Sequence, residues 1–267
     1  MLAGHKREEA TMTMLNDHCS VERREHGIAW LTITNAGKAN ILGSPVIAAL
    51  ASGIDALAKE ADLRALVLTG SGETSFIGGA DIGEMAALDP AAAERFITGL
   101  RDLCEAARRF PAPVAARING WCLGGGLELA MACDFRIAAD TAKFAMPEVK
   151  VGIPSVIHAA LMPRLIGMAR ARWLILTGAT IDAATARDWG LVDLVAPAAA
   201  LDAAVEAALR PVVACGPAAL RAQKELLRAW EELPLSQAID ASIPVFGRAF
   251  GTGEPQAHMQ AFLERKR

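Results

Sequence analysis

The sequence predicts an α/β protein, with a mixed core to about residue 197 and a helical C-terminal region after it. Three observations predict this. The composition is 53% hydrophobic but only 5% aromatic, with no tyrosine, and alanine supplies much of the apolar fraction. Such a composition favours helices packed closely on a sheet over a sandwich of bulky strands. Apolar runs at residues 64–69 and 114–119 each lead into a glycine-rich stretch and then into helical periodicity. Beyond Ser155 the pattern is helical almost throughout. With 267 residues, the chain is long enough to bury a large core.

Residues 1–17 read as a polar leader with the character of a disordered segment, carrying His5, Lys6, Arg7, Glu8 and Glu9. The core spans 18–197, and it opens with a hairpin. Residues 21–24 and 28–34 are β-prone, and His26-Gly27 makes the turn. Residues 35–40 form a loop. Pro45 starts a helix with Ile47, Leu50, Ile54 and Leu57 on one face. A buried strand at 64–69 precedes a glycine-rich loop at 70–83. A helix at 91–110 is stopped by Pro111 and Pro113. A strand at 114–119 enters Gly120–126, followed by helix at 127–132 and strand at 135–138. The region 198–267 is helical, with no tandem repeat or low-complexity linker.

The net charge of −3 gives no general basic field, so nucleic-acid binding is not expected. No apolar stretch approaches the ~18–20 residues needed to cross a bilayer, and no membrane partner is expected. The N-terminus lacks the apolar core of a secretory signal. Of the five cysteines, none forms C-x-x-C and most lie in apolar runs, which fits buried thiols in a reduced, cytoplasmic setting. His5, His18, His26, His158 and His258 lack metal-ligand spacing, so no metal is expected. There is no H-E-x-x-H, no P-loop and no G-x-S-x-G. A dinucleotide fingerprint fails, because Leu129 would have to fill a glycine position after Gly124 and Gly126.

Two glycine-rich segments remain. In Gly120-Trp-Cys-Leu-Gly-Gly-Gly-Leu-Glu-Leu-Ala130, a strand ends, glycines follow and a helix begins. The first N–H groups of a helix have no internal partners and carry the positive end of its dipole. Glycines let a ligand approach that backbone. The segment is either an oxyanion site or a tight packing turn. In Phe76-Ile-Gly-Gly-Ala-Asp-Ile-Gly-Glu-Met85, the Ala80 N–H is a candidate second donor. An Asp81 N-cap after a glycine turn accounts for the same residues. Glu128 stands in an unusually apolar first helical turn, and Glu148 follows Pro147. Most such glutamates are solvated. Two carboxylates in apolar surroundings would instead titrate apart, leaving one protonated and one ionised, as acid–base work requires.

Taken in order, these segments resemble the enoyl-CoA hydratase/isomerase, or crotonase, family. The resemblance rests on Lys38-Ala39-Asn40, Val67-Leu-Thr-Gly70, Phe76-x-x-Gly79-Ala80-Asp81-Ile82 and Ile118-Asn-Gly120. It continues through Gly124-Gly-Gly126-x-Glu128, Cys133-Asp-Phe-Arg-Ile-Ala138, Pro147-Glu148-x-x-x-Gly152-Ile-Pro154 and Met259-Gln-Ala-Phe-Leu-Glu264. It implies a crotonase-like spiral of repeated ββα units with a C-terminal helical trimerisation region. The assembly would be a homotrimer or a homohexamer. It also implies an acyl-CoA substrate, with coenzyme A as part of that substrate and no separate cofactor. The Ala80 and Gly125 N–H groups would form an oxyanion hole. Gly79, Asp81, Ile82 and Gly124 would lie beside it, with Asp81 in a structural role. Lys38 and Ala39 would line the CoA path. Phe262 and Lys266 would meet the adenine or phosphate end, across a subunit boundary.

By the same resemblance, Glu128 orients and deprotonates water and Glu148 delivers a proton to C2. Both carboxylates together favour hydration of a 2-trans-enoyl-CoA to the 3-hydroxyacyl-CoA. The alternatives are another reaction of the family (isomerisation, decarboxylation, thioester hydrolysis) or a non-catalytic binding protein on the same fold. One departure stands out. Many hydratases carry a glycine-rich run after the Pro154 position, where this chain has Ser155-Val-Ile-His-Ala-Ala160.

Overall fold

The computed structural model describes residues 12–35, 37 and 39–265, so the expectations for Lys38, for Lys266 and for residues 1–11 lie outside the described residues. The chain begins with β1 (Met12–Asn16), β2 (Cys19–Arg24), β3 (Ile28–Ile33), α1 (Ser44–Leu57), β4 (Ala65–Gly70) and β5 (Ser75–Ile77). Next come α2 (Ile82–Met85), α3 (Pro90–Arg109), β6 (Val114–Ile118), β7 (Trp121–Leu123), α4 (Gly125–Ala132), β8 (Phe135–Ala139) and β9 (Lys143–Ala145). Then follow α5 (Met162–Ile166), α6 (Met168–Thr177), β10 (Thr180–Asp182), α7 (Ala183–Trp189) and β11 (Leu194–Ala196). The chain ends with α8 (Leu201–Val213), α9 (Pro217–Glu232), α10 (Leu235–Ala249) and α11 (Glu254–Glu264).

The strands form two sheets, one of seven strands in the order β1-β2-β3-β4-β6-β8-β11 and one of four in the order β10-β9-β7-β5. From β3 to β11 the large sheet is parallel, and β5, β7 and β9 are parallel in the small one. Successive strand pairs β4–β5, β6–β7 and β8–β9 each give one strand to each sheet. The chain therefore steps along both sheets together, and this is the expected spiral of ββα units. β4 is buried along its whole length, as a parallel strand covered on both faces must be.

Local chemistry explains the helix bounds. Pro45 and Pro90 sit at helix starts, where a missing N–H costs nothing. The Asp89 carboxylate caps α3 by accepting the Ala92 N–H at 2.7 Å. The predicted face of α1 is buried, with Ile47, Leu50, Ile54 and Leu57 packed in the main core against Phe96, Leu100 and Leu103 of α3.

Two boundaries move. The leader stops short of residue 17, because Met12–Asn16 pairs antiparallel with β2 and Asn16 anchors it by donating to the Ala49 carbonyl at 2.9 Å. The core extends past 197, because Leu201, Val205 and Leu209 of α8 cover the far face of the large sheet against Ile28, Trp30, Val67 and Ile137. The buried Lys224 ammonium ties α9 to this body, donating to Ala107 O, Ala112 O and Asp134 Oδ2 at 3.2, 3.0 and 2.7 Å. Four cysteines are buried and Cys215 is exposed, and none is in a disulfide. Among the described residues no helix is long and apolar enough to cross a membrane.

Candidate active site

The site lies at the carboxyl ends of β5, β7 and β9, where parallel α/β sheets offer a crevice. Register brings its parts together. Ile77 of β5 pairs with Cys122 of β7, and Cys122 pairs with Phe144 of β9. Ala80 stands three residues past Ile77, and Gly125 three past Cys122. Equivalent turns of neighbouring repeats thus present equivalent backbone positions. The third repeat, four residues past Phe144, presents Glu148.

Leu42 sets the first donor. Its N–H donates to Gly79 O at 2.8 Å, and its carbonyl accepts the Asp81 N–H at 3.0 Å. The Ala80 N–H between them faces away from that bridge, and it has no protein acceptor among the described residues. Gly125 opens α4, so its N–H lacks an intrahelical acceptor. Two glycines make these turns possible. Gly79 has φ +109° and Gly124 φ +50°, values an L side chain rarely adopts. A Cβ on Gly124 would also collide with Glu148 Oε1. The packing-turn reading holds as well, because a Cβ on Gly126 would meet the Ile77 Cβ at 2.5 Å. One segment meets both demands.

A cavity of about 520 Å³ opens here, lined by Ala80, Gly125, Glu128 and Glu148. Ile82, Met85, Leu88, Phe96, Ile97 and Val156 give it an apolar wall. Glu128 is 3% exposed. Its Oε1 accepts the Ala159 N–H at 2.9 Å. Burial pushes its pKa from 4.5 up to about 8; the Ala159 N–H opposes the shift and the charge of Glu148 adds to it. Glu148 is half-buried, starting a single 3₁₀ turn that ends at Gly152 with φ +82°. The Ser155 hydroxyl donates to Glu148 Oε2 at 2.8 Å. A donor pair that can hold a developing oxyanion therefore faces two carboxyl groups of unequal burial.

The other expected residues divide. Gly79, Ile82 and Gly124 line the cavity. Asp81 is not among the lining residues, and its carboxylate caps α2, accepting the Gly83 and Glu84 N–H groups at 2.9 and 3.1 Å. Ala39 lies against the first oxyanion turn, its carbonyl accepting the Gly78 N–H at 2.9 Å. Phe262 is exposed on α11 and does not line the cavity. Ser155 and Ala159 partner the glutamates, which the sequence does not predict. The only signal was the departure from a glycine-rich run, which marked the segment without saying what it touches.

An α/β spiral with paired backbone donors and two carboxyl groups in an apolar cleft defines a class of enzymes that polarise a carbonyl beside acid–base groups. The family model for enoyl-CoA hydratase/isomerase matches residues 23–267. A short-chain-enoyl-CoA hydratase of Clostridium acetobutylicum is 32% identical over 246 residues, covering 91% of this chain and 94% of the relative. A crotonyl-CoA hydratase of Syntrophomonas wolfei is 33% identical over 245 residues, covering 91% and 94%. The crystal structure of an enoyl-CoA hydratase from Bacillus anthracis superposes with a TM-score of 0.89 at 31% identity, covering 93% of this chain and 97% of that one. The chain belongs to the enoyl-CoA hydratase/isomerase family, and its fold is the crotonase fold.

Proposed function

We propose that this protein is an enoyl-CoA hydratase, a hydro-lyase that adds water across the C2=C3 bond of a 2-trans-enoyl-CoA. The observation that carries this is the convergence of Glu128 and Glu148 on one cavity beside the Ala80 and Gly125 N–H groups. The two N–H groups hold the thioester oxygen, which gains charge as C2 becomes enolate-like. Losing one donor of this kind costs ~2.7–4 kcal/mol in related chemistry. Water oxygen bonds to C3, one carboxylate takes a proton from that water, and the other carboxylic acid gives a proton to C2. The pair must therefore carry one proton. On the division implied by the resemblance, ionised Glu128 serves the water and protonated Glu148 serves C2. In the unliganded site burial keeps the shared proton on Glu128, so this arrangement is reached by moving it to Glu148.

The apolar wall accepts the acyl chain. Coenzyme A enters as part of the substrate past Lys38 and Ala39, with Phe262 and Lys266 serving its far end from a neighbouring subunit. The step needs no further cofactor. A homotrimer, alone or paired into a hexamer, is supported by α10. Leu235, Ile239, Ile243, Phe246 and Phe250 form one exposed apolar stripe along it. The buried thiols accord with a reducing cytoplasm. The test is loss of conjugated absorbance from crotonyl-CoA and longer 2-enoyl-CoAs, with a product heavier by one water. Purified protein that leaves every chain length unchanged would sink the hydratase reading. Free CoA or an unchanged product mass would replace it with hydrolysis or isomerisation.

A further inference from the structure

The segment that replaces the glycine-rich run touches both carboxyl groups. Ser155 holds Glu148 and the Ala159 N–H holds Glu128, at 2.8 and 2.9 Å. Between them Ile157 sits at φ +40°, a left-handed conformation that a β-branched residue adopts only when its surroundings force it. Within the turn itself, the Ala159 N–H also reaches Val156 O at 3.0 Å. A local bond of that kind does not select this strained shape over others.

His158 supplies the outside tie. The side chain is 7% exposed, and its Nε2 lies 3.0 Å from Glu105 Oε1 on α3. Glu105 is itself gripped by Arg108 at 2.6 Å and Arg109 at 3.2 Å. Burial raises the proton affinity of Glu105, but Arg108 and His158 outweigh it and keep the carboxylate below its ordinary value. Burial lowers the pKa of His158, with Glu105 acting against it and Arg108 and Arg101 with it. The neutral ring must then carry its proton on Nε2, because an ionised carboxylate only accepts. Nδ1 is buried without a hydrogen-bond partner among the described residues, so the contact with Glu105 is the ring's one polar tie there. The charged groups around this pair are Arg101, Glu105, Arg108 and Arg109 of α3, Glu128 of α4, and Glu231 and Glu232 of α9 behind Arg108.

We infer that His158 is a positioning residue for the carboxylate pair. Its hydrogen bond to Glu105 holds the 155–159 segment in its strained conformation, and so aims the Ala159 N–H at Glu128 and the Ser155 hydroxyl at Glu148. This rests on the hydratase reading for its effect on catalysis, but its effect on Glu128 can be read without turnover.

The experiment is an infrared titration of the protonated Glu128 carboxyl band, assigned by its loss in Glu128→Gln, in wild type, His158→Leu and His158→Gln. Losing the N–H donor removes stabilisation of the ionised form. The Glu128 midpoint is therefore expected to rise by about one pH unit in His158→Leu. His158→Gln, whose amide can still donate to Glu105, should restore it. In the hydration assay, His158→Leu should lower kcat by about tenfold or more with KM within about twofold, a split that simple loss of folded protein would not produce. If His158→Leu does not fold, His158→Asn takes its place, keeping a polar side chain too short for Glu105. A folded variant with both the titration and kcat unchanged overturns the inference. Absence of wild-type hydration with a midpoint that still moves counts against the hydratase reading alone.

Discussion

If the two glutamates share one proton in catalysis as proposed, the reaction should be sensitive to alkali. Glu128 holds the pair's proton up to a pKa of about 8, because it is almost fully buried and faces a second carboxylate. With a midpoint there, about ten-elevenths of the sites carry the proton at pH 7 and about one-eleventh at pH 9. Whichever glutamate donates, a doubly ionised pair cannot protonate C2, so kcat/KM should fall about tenfold between pH 7 and 9. That quantity reports the unliganded enzyme, whose geometry is the one described. The assay is initial-rate loss of conjugated absorbance from crotonyl-CoA, with released CoA measured to subtract alkaline thioester hydrolysis. The limb belongs to the pair, so it does not say which residue gives the proton. A rate that climbs through pH 8 would refute the reasoning, since ionised Glu128 would then suffice alone. A flat profile to pH 9.5 would show that burial does not hold the proton there.

Four further outcomes follow from the same contacts. The folded protein keeps a proton on Glu128 between about pH 4.5 and 8 that the unfolded chain releases, so stability declines as pH rises across that window. At ~1.4 kcal/mol per unit the full decline approaches about 5 kcal/mol, and urea unfolding of Glu128→Gln should lack it while hydration is lost by orders of magnitude. Gly124→Ala forces a Cβ against Glu148 at φ +50° and ψ −123°, a conformation that L side chains rarely adopt; kcat should drop at least about tenfold, at a strain cost of about 1–3 kcal/mol in chemical denaturation. Lys224→Ala strips the buried ammonium from two carbonyls and Asp134, and should cost about 3–5 kcal/mol in the same measurement. Phe246→Asp places a charge in the exposed stripe of α10 and should lower the molar mass found by light scattering; an unchanged assembly would remove α10 from the subunit contact.

What was legible in the sequence follows the length of each signal. α1 and α3 are legible to within a residue or two at their starts, because an apolar face and a starting proline, and for α3 a proline stop, combine over many residues. β5 and β7 read as loop and turn in the sequence, since three residues cannot display an alternation. Their strand character comes from neighbours brought alongside by the fold. β1 falls within the expected leader for another reason: its exposed Met12 and Met14 give no buried face to recognise. In the site, glycines at Gly79 and Gly124 and carboxylates at Glu128 and Glu148 are residue types with restricted uses, and they could be picked out. Ala159 acts through its backbone N–H and Leu42 through both of its backbone groups, and no residue type announces that.

The repeat itself explains why the chemistry divides as it does. Paired strands of one sheet lead, three residues past Ile77 and Cys122 and four past Phe144, to a backbone donor, a second donor and a carboxylate. The two donors are backbone groups, fixed by turn geometry, so the proposed hold on the thioester oxygen depends on main-chain shape rather than on a reactive side chain. The carboxylates are side chains: Glu128 stands in the first turn of α4, behind its donor, and Glu148 in the third turn, where Ser155 and the segment up to Ala159 close around both. A change in that segment can therefore alter proton transfer while leaving the oxyanion donors in place. On the proposed roles of Glu128 and Glu148, hydration rests on how Ser155 to Ala159 seat the two glutamates around one proton, and in this chain that seat is a strained isoleucine turn linked to α3 by the His158–Glu105 contact.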